Sequence, residues 1–240
     1  MHKQNQIGLA LVLAMICGIS PKLVLAKEPQ LSEIQIKVEQ AISRFENRIR
    51  DKVSFVVERY ENEEGDISQR VERYHPNNKD SANWQLISVN GKSPSTKQRQ
   101  QYLEEKREKQ KKGKSISISL RELIKVDTLT VTHENKSIST VAFDVNTKPL
   151  GIDASGKLAG ELRYNNQLAY IEAINVTNTE TFSPMFSAEI TDLDVLLEFS
   201  LFNDDVVILK QTMEMKGSYA FFVEIEEVST ATYSDYKLLF

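Results

Sequence analysis

The sequence predicts an α+β domain built on a curved antiparallel β-sheet, with one amphipathic helix at its start. Three observations predict this class. Apolar residues recur at steps of three and four over residues 31–50, which is the period of a helix. From Val53 onward the period is two through most of the chain, as in half-buried strands. The links between these alternating segments are short, so sequential strands are expected to pair antiparallel.

The first 26 residues have the features of an export signal. Lys3 precedes an apolar or small run over residues 7–19, which is shorter than the roughly 20 residues that span a bilayer. Ala26 supplies a small residue for cleavage, although Pro21 interrupts the approach to it and leaves an uncleaved anchor as the alternative. We therefore expect an exported chain, periplasmic in a Gram-negative source and secreted otherwise. Residues 27–240 are expected to form one domain.

The composition excludes several classes of function. The formal net charge is −4 for the whole chain and −6 once the predicted signal, with its two lysines and no acid, is removed. Such a chain has no overall attraction to nucleic acid. Cys17 is the single cysteine and lies in the predicted signal. The mature chain is therefore expected to have no disulfide, no thiol redox chemistry and no thiolate metal site.

The first elements after the signal are a helix and a hairpin. The apolar stripe of residues 31–50 is expected to pack on the sheet, although the same stripe also suits a partner or membrane helix. The alternation from Val53 to Tyr74 turns back at residues 63–66, which predicts a β-hairpin. A further strand over residues 84–89 ends at the turn dipeptide Asn90-Gly91.

A charged helical insertion is predicted at about residues 95–114. Ser95 stands three residues before Gln98, which is the spacing of a capping box. The helix that follows is polar on nearly all sides, so it either projects from the body or crosses the mouth of the sheet. Alternatively, its basic residues make transient contact with an anionic membrane surface. The basic residues of that contact are Lys106, Arg107, Lys109, Lys111 and Lys112.

The rest of the chain predicts a short helix at residues 119–126 and then a β meander. Turns are expected at residues 133–136, 165–166, 203–205 and 216–217, where polar residues and glycine interrupt the alternation. The predicted strands are Asp127–Val131, Ile138–Val145, Lys157–Tyr164, Leu168–Val176, Phe186–Ile190, Val195–Phe202, Val206–Met215, Ser218–Ile225 and Ala231–Leu238.

The alternation leaves one face of the sheet apolar and the other charged. About nine strands make a wide apolar surface, for which the helix of residues 31–50 is a small cover. Incomplete cover leaves an apolar cleft for a hydrophobic ligand, whereas complete cover leaves only a filled core. The residues expected to line the cleft are Val195, Leu197, Phe199, Leu209, Met213, Phe221 and Val223.

The order of these elements resembles the LolA/LolB-like periplasmic lipoprotein-carrier superfamily. The more specific matching segments are Trp84–Lys92, followed by Pro94 and a charged helix, and the terminal Tyr233–Tyr236. The resemblance implies an open half-barrel of antiparallel strands under a helical lid, with a cavity for acyl chains. It thus implies a periplasmic binding or carrier protein whose partner is a lipid or an acylated protein. The alternative is a non-catalytic structural or interaction module of the cell envelope, with the same fold and a filled core.

The sequence contains no recognisable catalytic, metal or cofactor site. The two histidines of the mature chain, His75 and His133, both fall in polar turns without the spacing of metal ligands. Nucleophile elbows and glycine-rich phosphate loops are absent from the sequence. The acid pairs Asp192-Asp194 and Glu224-Glu226 leave a hydrolase as a third hypothesis. Solvated strand faces have the same pattern, so the chain is expected not to be an enzyme and to use no cofactor.

Overall fold

The described residues fold around one open antiparallel sheet of eleven strands, and an antiparallel sheet is the class that the sequence predicts. A computed structural model describes residues 31–47, 52–76, 83–111, 119–147, 152–220 and 222–239. In this part of the chain the strand order is β3-β2-β1-β11-β10-β9-β7-β6-β5-β4, and β8 pairs with β9. The strands are β1 Val53–Glu63, β2 Asp66–Tyr74, β3 Trp84–Val89, β4 Thr130–Glu134, β5 Ile138–Asp144, β6 Leu158–Asn165, β7 Tyr170–Asn178, β8 Phe182–Met185, β9 Ala188–Phe202, β10 Asp205–Tyr219 and β11 Val223–Leu238.

Three α-helices accompany the sheet in the described part of the chain: α1 (Glu33–Glu46), α2 (Thr96–Lys111) and α3 (Leu120–Leu123). Single-turn 3-10 helices occupy Val126–Thr128 and Ile152–Ala154. No helix among the described residues has the length and hydropathy needed to span a membrane. The predicted export signal, residues 1–26, lies outside the described residues, as does the position of its cleavage.

Helix α1 is amphipathic and begins at a reciprocal cap. The Ser32 amide donates to Gln35 Oε1 at 2.7 Å, and the Gln35 amide donates to Ser32 Oγ at 3.4 Å. These bonds satisfy two of the backbone donors that a helix start leaves unpaired. The stripe predicted from the sequence packs against the sheet through Val38, Ala41, Ile42 and Phe45, all of which are buried. The prediction of a helix packed on the sheet is confirmed.

The predicted hairpin turns form between β1 and β2, after β3 and between β9 and β10, where Asn203 and Asp204 have φ values of 49° and 66°. Glu64 and Gly65 have φ values of 54° and 93° between β1 and β2. Asn90 and Gly91, after β3, have φ values of 48° and 71°. Positive φ is the geometry that tight hairpin turns require, and glycine and asparagine adopt it at low cost.

The predicted turn at residues 216–217 is wrong. Strand β10 runs without interruption through Gly217, which lies opposite a register shift in β9, and its own turn follows Tyr219. A Cβ at Gly217 would collide with the carbonyl oxygen of Glu189. Glycine is therefore required here because two backbones approach closely, which is its other common role within strands.

The predicted strand at Phe186–Ile190 is also wrong in its bounds. Phe186 lies in the turn between β8 and β9, and β9 begins at Ala188 and continues to Phe202 as one 15-residue strand. The predicted strands Phe186–Ile190 and Val195–Phe202 thus fall mostly on this one strand, in which Thr191, Asp192 and Asp194 occupy exposed positions.

Both long helices cover the same face of the sheet, which we call the covered face. Phe45 of α1 packs edge-on against Phe199 of β9, with ring centroids 5.0 Å apart. Lys106 of α2 reaches Glu72 of β2. Glu72 is opposite Val57 of β1. Residues paired across adjacent strands point to the same side of a sheet, and Arg59 is on the same side of β1 as Val57. One row of paired residues runs from Arg59 across the sheet to β5: Arg59, Ala231, Gln211, Leu197, Ile174, Leu162 and Val141.

The main hydrophobic core lies beneath α1. It joins α1 and α3 to strands β5–β10, and its fully buried side chains include Ile42, Val141, Leu162 and Ile174. Burying a side chain of this size stabilises the fold by about 1.5–3 kcal/mol. Helix α2 packs on the other part of the covered face, against β3, where Leu86 and Tyr102 are buried.

Candidate functional site

The covered face has a central strip between the parts occupied by the two helices. Strands β11 and β1 lie in the sheet order between β10, which α1 contacts, and β3, which α2 contacts. Met213 pairs with Val195 on β9 and with Ser229 on β11, and the Tyr233 hydroxyl donates to Gln211 Oε1 at 3.1 Å. The central strip consists of side chains that are all partly exposed: Arg59, Gln211, Met213, Ser229 and Tyr233.

An aromatic cluster continues this strip toward one end of the sheet. The Phe55 ring is at its centre, with centroids 5.0 Å from Tyr74, 5.9 Å from Trp84, 5.8 Å from Tyr233 and 5.5 Å from Tyr236. All five side chains are partly exposed. Rings at these distances gain stability from edge and stacking contacts, and each offers an apolar face to a neighbour.

A β-bulge brings both tyrosines of this cluster to one side of the sheet. Tyr233 and Tyr236 are three residues apart and would lie on opposite faces of a regular strand. The pairing of β1 with β11 shifts register between Ser54 and Val56, and Asp235 has a φ of 53°. Both rings therefore lie against Phe55, and the Tyr236 hydroxyl donates to the carbonyl oxygen of Ile208. Bulges commonly redirect a side chain in this way.

A buried carboxylate connects the sheet to α2. Glu72 is 1% exposed, with Arg59 Nε at 3.3 Å and Lys106 Nζ at 2.9 Å. Burial opposes the ionisation of Glu72, but the charges of Arg59 and Lys106 outweigh it and hold the pKa of the carboxyl below its usual value. Burial, together with the Glu72 charge, raises the pKa of the Tyr102 hydroxyl. Lys106 also lies 4.1 Å from the centroid of the Trp84 ring, a cation–π contact.

Helix α2 is thus attached to the sheet through charge as well as through the buried Tyr102. The capping box predicted at its start is present, because the Ser95 amide donates to Gln98 Oε1 at 2.8 Å and the Gln98 amide to Ser95 Oγ at 3.3 Å. The helix contacts β3 and reaches β2, and Lys106 points into the ion cluster. Arg107 is exposed and lies 3.8 Å from Glu104. The side chains of Lys109 and Lys111, and all of Lys112, lie outside the described residues.

The structure separates the seven residues that the sequence predicts to line a cleft. Leu197 and Phe199 are buried in the core beneath α1, and Val195 packs against that core beside Met213. Only Val195 and Met213 therefore meet at the central strip. Leu209 is 44% exposed, because a register shift between Ile208 and Lys210 makes it the extra residue of β10.

Val223 is 42% exposed at the start of β11, and Phe221 lies outside the described residues. The residues that the prediction missed are those of the aromatic cluster. Their signal was present in the sequence, since Trp84 and Tyr233–Tyr236 belong to the two segments that carry the family resemblance. The covered face joins these segments through β1.

The residues considered for catalysis or metal binding are dispersed and solvated. His75 and His133 are both exposed, as are Asp192, Asp194 and the pair Glu224-Glu226. Among the described residues no three His, Cys, Asp or Glu side chains are grouped to hold a metal ion.

Comparison with known proteins yields one similar solved structure that we report. No family model matches the chain, and no curated protein matches it. The similar structure is that of a DUF1329 family protein from Desulfovibrio piger, with 5% sequence identity and a TM-score of 0.37. The match covers 85% of this chain and 92% of that chain. Similarity at this level identifies neither the family nor the function of the chain.

Proposed function

We propose that the chain binds a lipid or an acyl chain on its covered face and acts as a carrier of LolA/LolB-like type. The observation that supports this is the partly exposed aromatic cluster, which continues along the central strip to Met213 and Val195. Helices α1 and α2 flank this surface on the same face of the sheet. A hydrocarbon chain placed along it would contact aromatic and methionine side chains, which adapt to ligands of varied shape.

The free energy for such binding comes from removing the ligand's methylenes from water. Each methylene that is fully buried contributes about 0.8 kcal/mol, so a chain of about 16 carbons gains on the order of 12 kcal/mol before the cost of immobilisation. No specific hydrogen bond to the chain is needed. The surface fits this kind of binding because it consists mainly of aromatic rings and the flexible Met213 side chain.

Trp84 provides a direct assay because it is the only tryptophan in the chain and belongs to the aromatic cluster. We expect a fatty acid with a brominated chain to quench its fluorescence, and native mass spectrometry of protein purified from its host to show bound lipid. Met213→Lys should weaken lipid binding at least about tenfold. The lysine removes the apolar contact of Met213 with the ligand, and a loss of about 1.4 kcal/mol corresponds to a tenfold loss of affinity. Leu168→Lys, at a residue 51% exposed in the turn between β6 and β7, is the control.

Protein that carries no lipid and shows no quenching at Trp84 would contradict the proposal. The structural or interaction module of the cell envelope, with its core filled by side chains, would then be the better assignment. Equal weakening by Met213→Lys and Leu168→Lys would exclude the covered face as the binding surface.

Export and the lack of catalysis are also part of the proposal. An N-terminus at Lys27 in protein recovered from the host envelope would agree with cleavage after Ala26, and one at Met1 would contradict it. Glu224→Gln combined with Glu226→Gln tests the hydrolase hypothesis: any hydrolysis by the wild-type chain that this variant loses would contradict a purely binding role.

A further inference from the structure

Five apolar side chains are exposed together on the tips of two hairpins. Met185 and Phe186, at the turn between β8 and β9, are 59% and 94% exposed. Tyr219, Phe222 and Val223, around the turn between β10 and β11, are 49%, 83% and 42% exposed. We call these five residues the apolar tip. Large exposed apolar side chains that lie close together mark interaction surfaces far more often than isolated ones do.

The two hairpin tips are adjacent. Tyr219 pairs with Ala188, and the Ala220 amide donates to the carbonyl oxygen of Ser187 at 2.7 Å. These bonds hold the turn after β10 beside the turn between β8 and β9, at the same end of the sheet. The five side chains therefore belong to one surface and are fixed by backbone hydrogen bonds.

The apolar tip lies beyond the strands that flank it. The residue pairs of β1 with β11 end at Glu63 and Glu227, and those of β7 with β9 end at Thr177 and Asp194. Past these pairs, β9 and β10 continue to pair with each other and with β8 and β11 in the described part of the chain. The tip is thus at the end of the sheet opposite to the aromatic cluster.

The residues just behind the apolar tip are charged and mainly acidic. Glu189, Asp192, Glu224 and Glu226 are exposed there, with Lys216 as the neighbouring base, 3.5 Å from Glu226. An excess of acid disfavours contact with an anionic surface. The same excess would keep this part of the hairpins in water while the tip is buried.

From the tip inward, the side chains of the hairpins become more polar, as the environment does from the interior of a membrane to the surrounding water. Phenylalanines are outermost, a tyrosine follows, and charged residues come next, which matches the depth that each type prefers. From this order and the charge behind it, we propose that the apolar tip inserts into the interface of a neutral, zwitterionic lipid bilayer. This contact is separate from ligand binding on the covered face.

The test uses two full-length chains with one tryptophan each. Trp84→Phe with Phe222→Trp places the tryptophan at the apolar tip. Trp84→Phe with Leu168→Trp is the matched control, because Leu168 is 51% exposed in the turn between β6 and β7 at the other end of the sheet. Each chain is mixed with vesicles of phosphatidylcholine that carries brominated acyl chains.

We expect the tip tryptophan to lose most of its emission and shift to shorter wavelength, and the control tryptophan to change little. Adding Phe186→Ser should lower vesicle affinity about tenfold, as expected for removing one inserted phenyl ring. Bromine quenches only a tryptophan that lies close to it. Vesicle binding by an apolar segment elsewhere in the chain would therefore not by itself produce a difference in quenching between positions 222 and 168.

Absence of quenching at the tip, or equal quenching at both positions, would overturn the proposal. Tighter binding to vesicles that contain phosphatidylglycerol would overturn the assignment to a neutral bilayer. Self-association of the wild-type chain that Phe222→Ser abolishes, without vesicle binding, would show that the tip contacts a second copy instead.

Discussion

Replacing the buried carboxylate of Glu72 tests how α2 is held on the sheet. Glu72→Gln keeps the size of the side chain but leaves Arg59 and Lys106 facing each other without their shared counter-charge. Removing one partner of a fully buried ion pair costs about 3–5 kcal/mol. Arg59 and Lys106 are 26% and 21% exposed, so water relieves part of this cost. We expect the free energy of unfolding to fall by about 2–3 kcal/mol.

The assay is urea unfolding at pH 7, with Glu105→Gln as the control. Glu105 is 59% exposed and its oxygen lies 4.0 Å from Arg70, so its loss should change the free energy of unfolding by less than about 0.5 kcal/mol. A change of less than about 1 kcal/mol for Glu72→Gln would refute the reasoning, because the exposed and buried carboxylates would then be equivalent.

The same variant predicts a pH dependence. The folded-state pKa of Glu72 is lowered, so the stability that it contributes is present above the unfolded-state pKa of about 4.3 and is lost as the pH falls through the folded-state pKa. The difference between wild type and Glu72→Gln should therefore be largest near pH 7 and shrink below about pH 4. A difference that stays constant from pH 7 to pH 2 would contradict the role of the ionised carboxylate.

Substitutions at three further positions have defined outcomes. Gly217→Ala should lower the free energy of unfolding by about 2 kcal/mol, since a Cβ collides with the Glu189 carbonyl oxygen; unchanged thermal stability would exclude the close approach of β9 and β10. Glu227→Gln should raise it by about 0.5 kcal/mol at pH 7, because burial and the facing Glu63 raise the pKa of Glu227. That gain should disappear at pH 3, and a gain that persists there would point to a cause other than charge. Asp235→Gly should be neutral, whereas Asp235→Val should cost about 1–2 kcal/mol and alter the near-ultraviolet circular dichroism of the aromatic cluster; tolerance of valine would argue against the positive φ at the bulge.

Local patterns predict most of this fold because its hairpins are local. The turn at Gly65 and the dipeptide Asn90-Gly91 lie where the alternation breaks, and the capping box of Ser95 and Gln98 is present. Gly217 led to a wrong turn prediction because glycine has two roles that the sequence does not distinguish. It allows a turn, and it also allows two backbones to approach closely, as β9 and β10 do here. Periodicity assumes an unbroken register, so it cannot place a residue such as Leu209 next to a register shift.

The candidate site was predicted less well because it depends on long-range pairing. Val195 and Met213 are on neighbouring strands of one hairpin, and the alternation alone brings them together. Phe55 and Tyr233 meet only because the first strand pairs with the last one. Nothing in the local pattern of either segment specifies that partner, and the bulge at Asp235 that turns Tyr236 toward Phe55 is equally invisible to it.

The pairing of β1 with β11 has a consequence for how the sheet is completed. In the strand order, β3, β2 and β1 join the other strands through β11 alone. A chain that ends before Val223 would therefore hold two separate sheets, and each would present an unpaired strand edge, β1 on one and β10 on the other. Such edges recruit strands from other molecules, and contacts between residues so far apart in sequence form slowly. Synthesis or truncation that stops short of β11 would thus be expected to yield aggregates rather than a smaller folded protein.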